Sequence, residues 1–254
     1  MVTPKTKQEL RSLIMDRHTL SDINTEYITD MSGLFYKSKY LRSEYPGIKT
    51  WNTSKVTNMA GMFEGCEDLE NNVSFHLWDV SNVRDMSSMF ENCKNFSSNT
   101  LMSWDVSKVE NMARMFKNCF SFKGDGLLKW NTKNVKNMKE MFYMCKDFND
   151  DLSKWDVSNV LNMDSMFYMA VNFDSDLSKW NTKNVISMSK MFAFTRFSTD
   201  ISKWNISKVI DMTKMFENST FDADLSKWKL DKKCVTTNMF KGSKIDPKKQ
   251  PIKE

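Results

Sequence analysis

The chain has 254 residues, with 37 Lys+Arg against 32 Asp+Glu, 7 Gly and 4 Pro, yet 21 Met, 18 Phe and 8 Trp. A hydrophobic content of 40% is ample for a core, which excludes wholesale disorder. The net charge is only +5; five Lys against Asp246 and Glu254 place +3 in residues 241–254, leaving +2 for the other 240. Nucleic-acid binding runs on neutralised phosphates and is not expected from so weak a charge.

Residues 1–22 are expected to form an N-terminal capping helix. Thr6-Lys7-Gln8-Glu9 has the form of a capping box, and Leu10, Leu13 and Ile14 follow at helical spacing. The segment carries no apolar run of signal-peptide length, and no stretch of about 18 apolar residues occurs anywhere. No membrane span and, by sequence, a cytoplasmic location are the expectations. Five cysteines, an odd number, point to reduced thiols rather than a disulfide framework.

From residue 23 to 243 the chain repeats itself. Trp51, Trp78, Trp104, Trp130, Trp155, Trp180, Trp204 and Trp228 are spaced 27, 26, 26, 25, 25, 24 and 24 residues apart. Counting from each Trp as zero, Val stands at +5 in seven units and Met at +8, with Met-Phe at +11 and +12. A closing Phe or Leu and an apolar residue at −3 complete the template. Worn copies extend it upstream, where Ile23 replaces Trp, and downstream, where Met239-Phe240 keep their register. Positions +8 and +11 take up 16 of the 21 Met, and +12 with the closing position 15 of the 18 Phe, so the odd composition is a core specification written nine times. Residues 244–254, with two prolines and little to bury, are expected to be a flexible basic tail.

Around each Trp the text runs Leu-x-x-Trp-x-Val/Thr, as in Leu152-Ser153-Lys154-Trp155-Asp156-Val157. This is the L-x-x-L-x-L spacing of a leucine-rich repeat. The expected fold is therefore a repeat solenoid, a leucine-rich-repeat-like stack of about nine coils of 24–28 residues, with a parallel β-sheet and short helical turns. The run Phe148-x-x-Asp151-Leu152-Ser153-Lys154-Trp155-Asp156-Val157-Ser158-Asn159-Val160, then Asn162-Met163-x-x-Met166-Phe167, resembles the repeat of the BspA-family leucine-rich-repeat-like surface proteins, known also from mycoplasma lipoproteins. The resemblance implies a surface-located solenoid that binds other macromolecules.

Candidate sites are read down columns. Cys66, Cys93, Cys119 and Cys145 share +15 with Ser38, Ala170, Thr195, Ser219 and Ser243, a demand for a small residue rather than a metal site, and zinc pairs such as C-x₂₋₄-C are missing. No catalytic set can be assembled, so no enzyme, cofactor or metal is expected. Lys129, Lys154, Lys179, Lys203 and Lys227 at −1 are expected on a polar sheet face beside Asn/Asp at +1. At +13 to +16 the character changes from polar to apolar in the coils of Trp104 to Trp180, through Phe120, Tyr143, Met144, Tyr168, Met169 and Phe194. These six are the expected partner-binding patch.

The function expected is a non-enzymatic, adhesion-like module recognising a protein or glycan. An intracellular inhibitor or immunity protein that masks a toxin or enzyme, and a structural assembly component, are the alternatives. The same patch is the expected site of any homodimer.

Overall fold

In each unit the Trp N–H donates to the carbonyl three residues before it, as in Trp78 to Phe75 (3.0 Å) and Trp155 to Leu152 (3.1 Å). The +5 valine N–H turns back to +2 in the same way, as in Val83 to Val80 (2.9 Å) and Val160 to Val157 (3.0 Å). A backbone N–H has one proton to give, so these donors are not available to a strand ladder. The computed structural model describes residues 1–38, 45–70 and 73–253, and Glu254 of the tail lies outside them. The strands among the described residues are β1 (Lys229–Leu230) and β2 (Ile252–Lys253), one short parallel pair. The expected leucine-rich-repeat-like parallel sheet is therefore overturned, and with it the expected sheet face of lysines: the tryptophan segments form no strand ladder.

What joins one unit to the next is a track from +7 to +14. Its N–H groups at +8, +10, +12 and +14 donate to the +7, +9, +11 and +13 carbonyls of the following unit. Met59 bonds Asp85 (2.9 Å), Gly61 bonds Ser87 (2.7 Å), Phe63 bonds Met89 (2.9 Å) and Gly65 bonds Glu91 (2.7 Å). Single-residue parallel bridges run along +7 from Asp30 through Asn58, Asp85, Asn111, Asn137, Asn162, Ser187 and Asp211 to Val235. The track stays narrow because +10 and +14 lie in the left-handed region, with φ from 48° at Lys37 to 74° at Gly65. A strand needs φ near −120° at every residue, so pairing cannot spread. The Asn/Asp side chains at +7 act locally, their Oδ1 accepting the +9 N–H, as in Asp30 to Ser32 (2.7 Å) and Asn162 to Asp164 (2.8 Å).

Inside the stack the repeat columns become ring columns. The +12 rings from Phe63 to Phe240 stack with centroids 5.6 to 5.8 Å apart. From Phe90 to Phe216 each also lies on the closing Phe of its own unit, as in Phe142 on Phe148 (3.9 Å) and Phe167 on Phe173 (3.8 Å). Such offset pairs add about 0.5–1.5 kcal/mol each beyond their burial. Each Trp reaches back one unit with its Nε1–H, to the −3 carbonyl in all but the last: Trp104 to Phe75 (3.1 Å), Trp130 to Leu101 (2.9 Å), Trp155 to Leu127 (2.8 Å), whereas Trp228 bonds Ser202 at −2 (3.2 Å). Buried Trp thus finds its partner between coils rather than within one.

The ends differ. At the start, α1 (Lys7–Met15) is capped by Thr6, whose Oγ1 accepts the Glu9 N–H (3.2 Å), and it buries Leu10 and Ile14. The Glu9 carboxylate takes the Lys5 N–H (2.8 Å), one residue earlier than in a capping box. At the other end the segment expected to be a mobile tail is folded. Ile245 is buried, the Lys249 carbonyl accepts the Leu225 N–H (2.8 Å), and Ile252–Lys253 pair with Lys229–Leu230. The Ile245 anchor and the strand pairing outweigh the prolines that suggested mobility.

Candidate partner-binding surface

The +13 and +14 side chains leave the stack at the last bends of the track. Residue +14 is left-handed in every unit, and most units meet that demand cheaply with Gly65, Asn92, Asn118, Asn218 and Gly242. The first unit, with Lys37 (φ 48°), and three consecutive later units do not: Met144 (φ 56°), Met169 (φ 55°) and Phe194 (φ 61°) occupy the same position. Large apolar residues there cost about 1 kcal/mol each in backbone strain relative to Gly. They are half-buried, so packing offsets part of that cost and leaves apolar surface in water.

Tyr143 and Tyr168 at +13 stack at 4.8 Å with rings 16° from parallel, and the edge of Phe194 meets Tyr168 at 5.6 Å. Ala193, which follows them at +13, is buried, so Phe194 at +14 carries the aromatic character one coil further. The structure thus brings Tyr143, Tyr168 and Phe194 into one strip, with Met144 and Met169 at the adjoining bends. Phe120 stands apart. Its ring lies beneath Lys146 Nζ at 5.1 Å, and no ring contact joins it to the strip among the described residues.

Charges frame the strip on the side of the earlier units. Lys117 Nζ sits 5.1 Å from the Tyr143 ring, 2.5 Å from Glu140 and 3.8 Å from Glu91, and Arg114 lies 3.8 Å from Glu91. Burial, and secondarily the neighbouring Tyr168, pushes the Tyr143 hydroxyl above its ordinary value, so it stays protonated. Glu64 is also raised, first by burial and then by Glu91. Lys117 and Glu140 belong to no apolar column, and their signal in the sequence is their place at +13 and +10 beside the first tyrosine.

The other candidates fall elsewhere. Lys129, Lys154, Lys179, Lys203 and Lys227 are exposed. Their neighbours at +1 are occupied in turns: Asp79, Asp105 and Asp156 accept the N–H of Ser81, Ser107 and Ser158 at 2.9–3.0 Å. The +15 thiols are buried and donate to carbonyls of the preceding unit, Cys66 to Phe35 (2.9 Å) and Cys119 to Phe90 (2.9 Å). Burial pushes Cys66 up to about 11, and Cys93, Cys119 and Cys145 are also raised by burial. Among the described residues no group of three or more His, Cys, Asp and Glu is placed to hold a metal ion, and no helix is long and apolar enough to cross a membrane. A second apolar file, at and just past +6, is more exposed than the strip: Leu161 (43%), Ile186 (40%), Ile210 (59%) and Val235 (47%).

A stack of self-similar coils with a localised apolar strip defines a repeat protein. The chain belongs to the family described as Mycoplasma protein of unknown function, DUF285, which matches residues 8–125, 98–196 and 152–251. The overlap of these three segments is what a periodic chain produces. No curated protein and no solved structure matches significantly.

Proposed function

We propose that this protein is a non-enzymatic binding module that presents the strip of Tyr143, Met144, Tyr168, Met169 and Phe194 to a protein partner. The observation that carries the reading is the left-handed column. Where neighbouring units place Gly or Asn, these three coils hold Met, Met and Phe at a backbone cost, and they adjoin a tyrosine pair. Strain kept at consecutive positions and only partly offset by packing fits a contact outside the molecule. Aromatic anchors and adaptable Met side chains are the residue types that interfaces favour. The resemblance to BspA-family surface proteins points the same way, to recognition of macromolecules at a cell surface.

The test compares Tyr143→Asp/Tyr168→Asp with Lys154→Glu/Lys179→Glu in binding to a panel of proteins and glycans. The first double variant is expected to lose at least about tenfold in affinity, 1.4 kcal/mol, while the second binds as wild type and both melt cooperatively. Binding by the tyrosine variant at wild-type strength sinks the reading, as does its unfolding; selective binding to glycans reassigns the partner class.

A further inference from the structure

Each unit hands its four track N–H groups to the next, and among the described residues no coil stacks on the ninth. In the eighth unit Met212, Lys214, Phe216 and Asn218 donate at 2.8–2.9 Å to Val235, Thr237, Met239 and Lys241. The equivalent donors of the ninth unit are Thr236, Asn238, Phe240 and Gly242, and none of them meets an acceptor among the described residues. The C-terminal segment covers the Trp228 half of this coil through the β1–β2 pairing and leaves 236–242 open. Phe240 stacks on Phe216 at 5.6 Å with one face and is half-buried, whereas the preceding rings of its column are fully buried. A cavity of about 420 Å³ adjoins it, lined by Thr236, Asn238, Phe240, Lys241, Gln250 and Lys253 among others.

The track makes this face favour negative charge: its four strings of backbone hydrogen bonds run through the stack with every N–H aimed toward the C-terminal end, whereas the +6 donors, such as Arg84 to Thr57 (2.8 Å), and the Trp Nε1–H groups, such as Trp104 to Phe75 (3.1 Å), aim the other way. Aligned peptide dipoles leave partial positive charge where the N–H groups emerge, as they do at a helix N-terminus. Lys241, Lys244 and Lys248 stand exposed nearby in sequence.

We propose that this open end is a docking site for an acidic peptide segment of a partner, which takes the bent course of the track and adds a tenth coil. Donors on alternate residues match carbonyls on alternate residues of a segment so bent, as they do from unit to unit, and a ring on that segment continues the Phe column. A small anion spans one or two donors, not a row of four. A second copy fits less well, because its first coil, the one with carbonyls in this register, lies beneath α1, whose Lys7 bonds Asp30 and Ser32.

The probe is the end-blocked octapeptide with the sequence of residues 85–92. Within the stack its Asp85, Ser87, Met89 and Glu91 carbonyls accept the track of the preceding unit. Titrated into ¹⁵N-labelled protein, it is expected to shift the amides of Thr236, Asn238, Phe240 and Gly242 and slow their hydrogen exchange at least about tenfold. Lys241→Glu, an exposed change, is expected to weaken binding up to about fivefold. The proposal is overturned by absence of these shifts or by equal binding of a scrambled peptide. Equal shifts with sodium sulfate identify an anion site instead, and a sedimenting dimer that the peptide does not dissociate identifies a self-association face; either result overturns it too.

Discussion

Single residues in this fold are judged by the column they stand in. Position +14 asks for a left-handed backbone, and Asn218 satisfies it at φ 52° with a residue type that tolerates that region. Met144, Met169 and Phe194 do not, so replacing them should separate folding from recognition. Met169→Asn is expected to raise unfolding free energy by about 0.5–1 kcal/mol, since Asn enters the left-handed region more cheaply than Met and the side chain lost is only half-buried. The combined Met144→Asn/Met169→Asn protein should be more stable still and bind its partner less well. Urea denaturation decides the matter: a loss of more than about 1 kcal/mol would mean that the two methionines belong to the core.

At the scale of the element, turns replace strands, and many of the turns hang on carboxylates. Asp151, Asp176, Asp200 and Asp224 at −4 each accept the N–H of the Ser two residues on, at 2.8–2.9 Å. Hydrogen bonds from that Ser, backbone and hydroxyl together, hold all four carboxyls below the ordinary aspartate value, and Asp105 is lowered by Ser107 in the same manner. A carboxyl lowered in the folded state stabilises it above the unfolded pKa of about 3.9, and that contribution is lost as pH falls through the folded value. Thermal melts between pH 5 and 2.5 should therefore fall more steeply for the natural protein than for Asp176→Asn/Asp200→Asn, where Asn keeps the turn without a titrating group. Parallel curves would show that these turns do not set the acid limit. The repeat columns of the core were legible in the sequence, since Val at +5, Met at +8 and +11 and Phe at +12 are buried wherever Val135, Met138, Met141 and Phe142 have their equivalents in the central units, whereas buried Tyr45 and Val73 stand outside the template. The missing sheet was not, because L-x-x-W-x-V spacing specifies which side chains face inward and is silent on whether Trp155 N–H bonds Leu152 or a neighbouring coil. Nor was the bend at +10, where Ser88, Arg114, Glu140 and Lys190 share φ of 55–60° without a common residue type. The candidate strip was legible as composition, whereas the contact of Phe194 with Tyr168 depended on that unseen bend.

At the scale of the whole molecule, each coil touches chiefly its two neighbours, so stability is close to a sum of unit and interface contributions. The consequence is that an internal coil is removable if the cut keeps every column in register. Residues 155–179 run from one Trp to the residue before the next, and their loss places Trp180 after Lys154 with the Leu-x-x-Trp spacing intact. Trp180 Nε1–H, which now reaches Leu152 at 3.0 Å, would have to return one coil further, to the Leu127 carbonyl that Trp155 uses at 2.8 Å; Leu127 and Leu152 are both −3 residues, so the bond survives with a new partner. The Phe142 ring would meet Phe192 in place of Phe167, again Phe on Phe. The shortened chain is therefore expected to melt cooperatively, at a temperature lower by a few degrees, with an unchanged near-UV aromatic spectrum per coil. It should lose the partner all the same, since Tyr168 and Met169 leave with the coil and Tyr143 comes to face buried Ala193. A non-cooperative melt would mean that the coils are not interchangeable, and that stacking across more than one neighbour holds the molecule together.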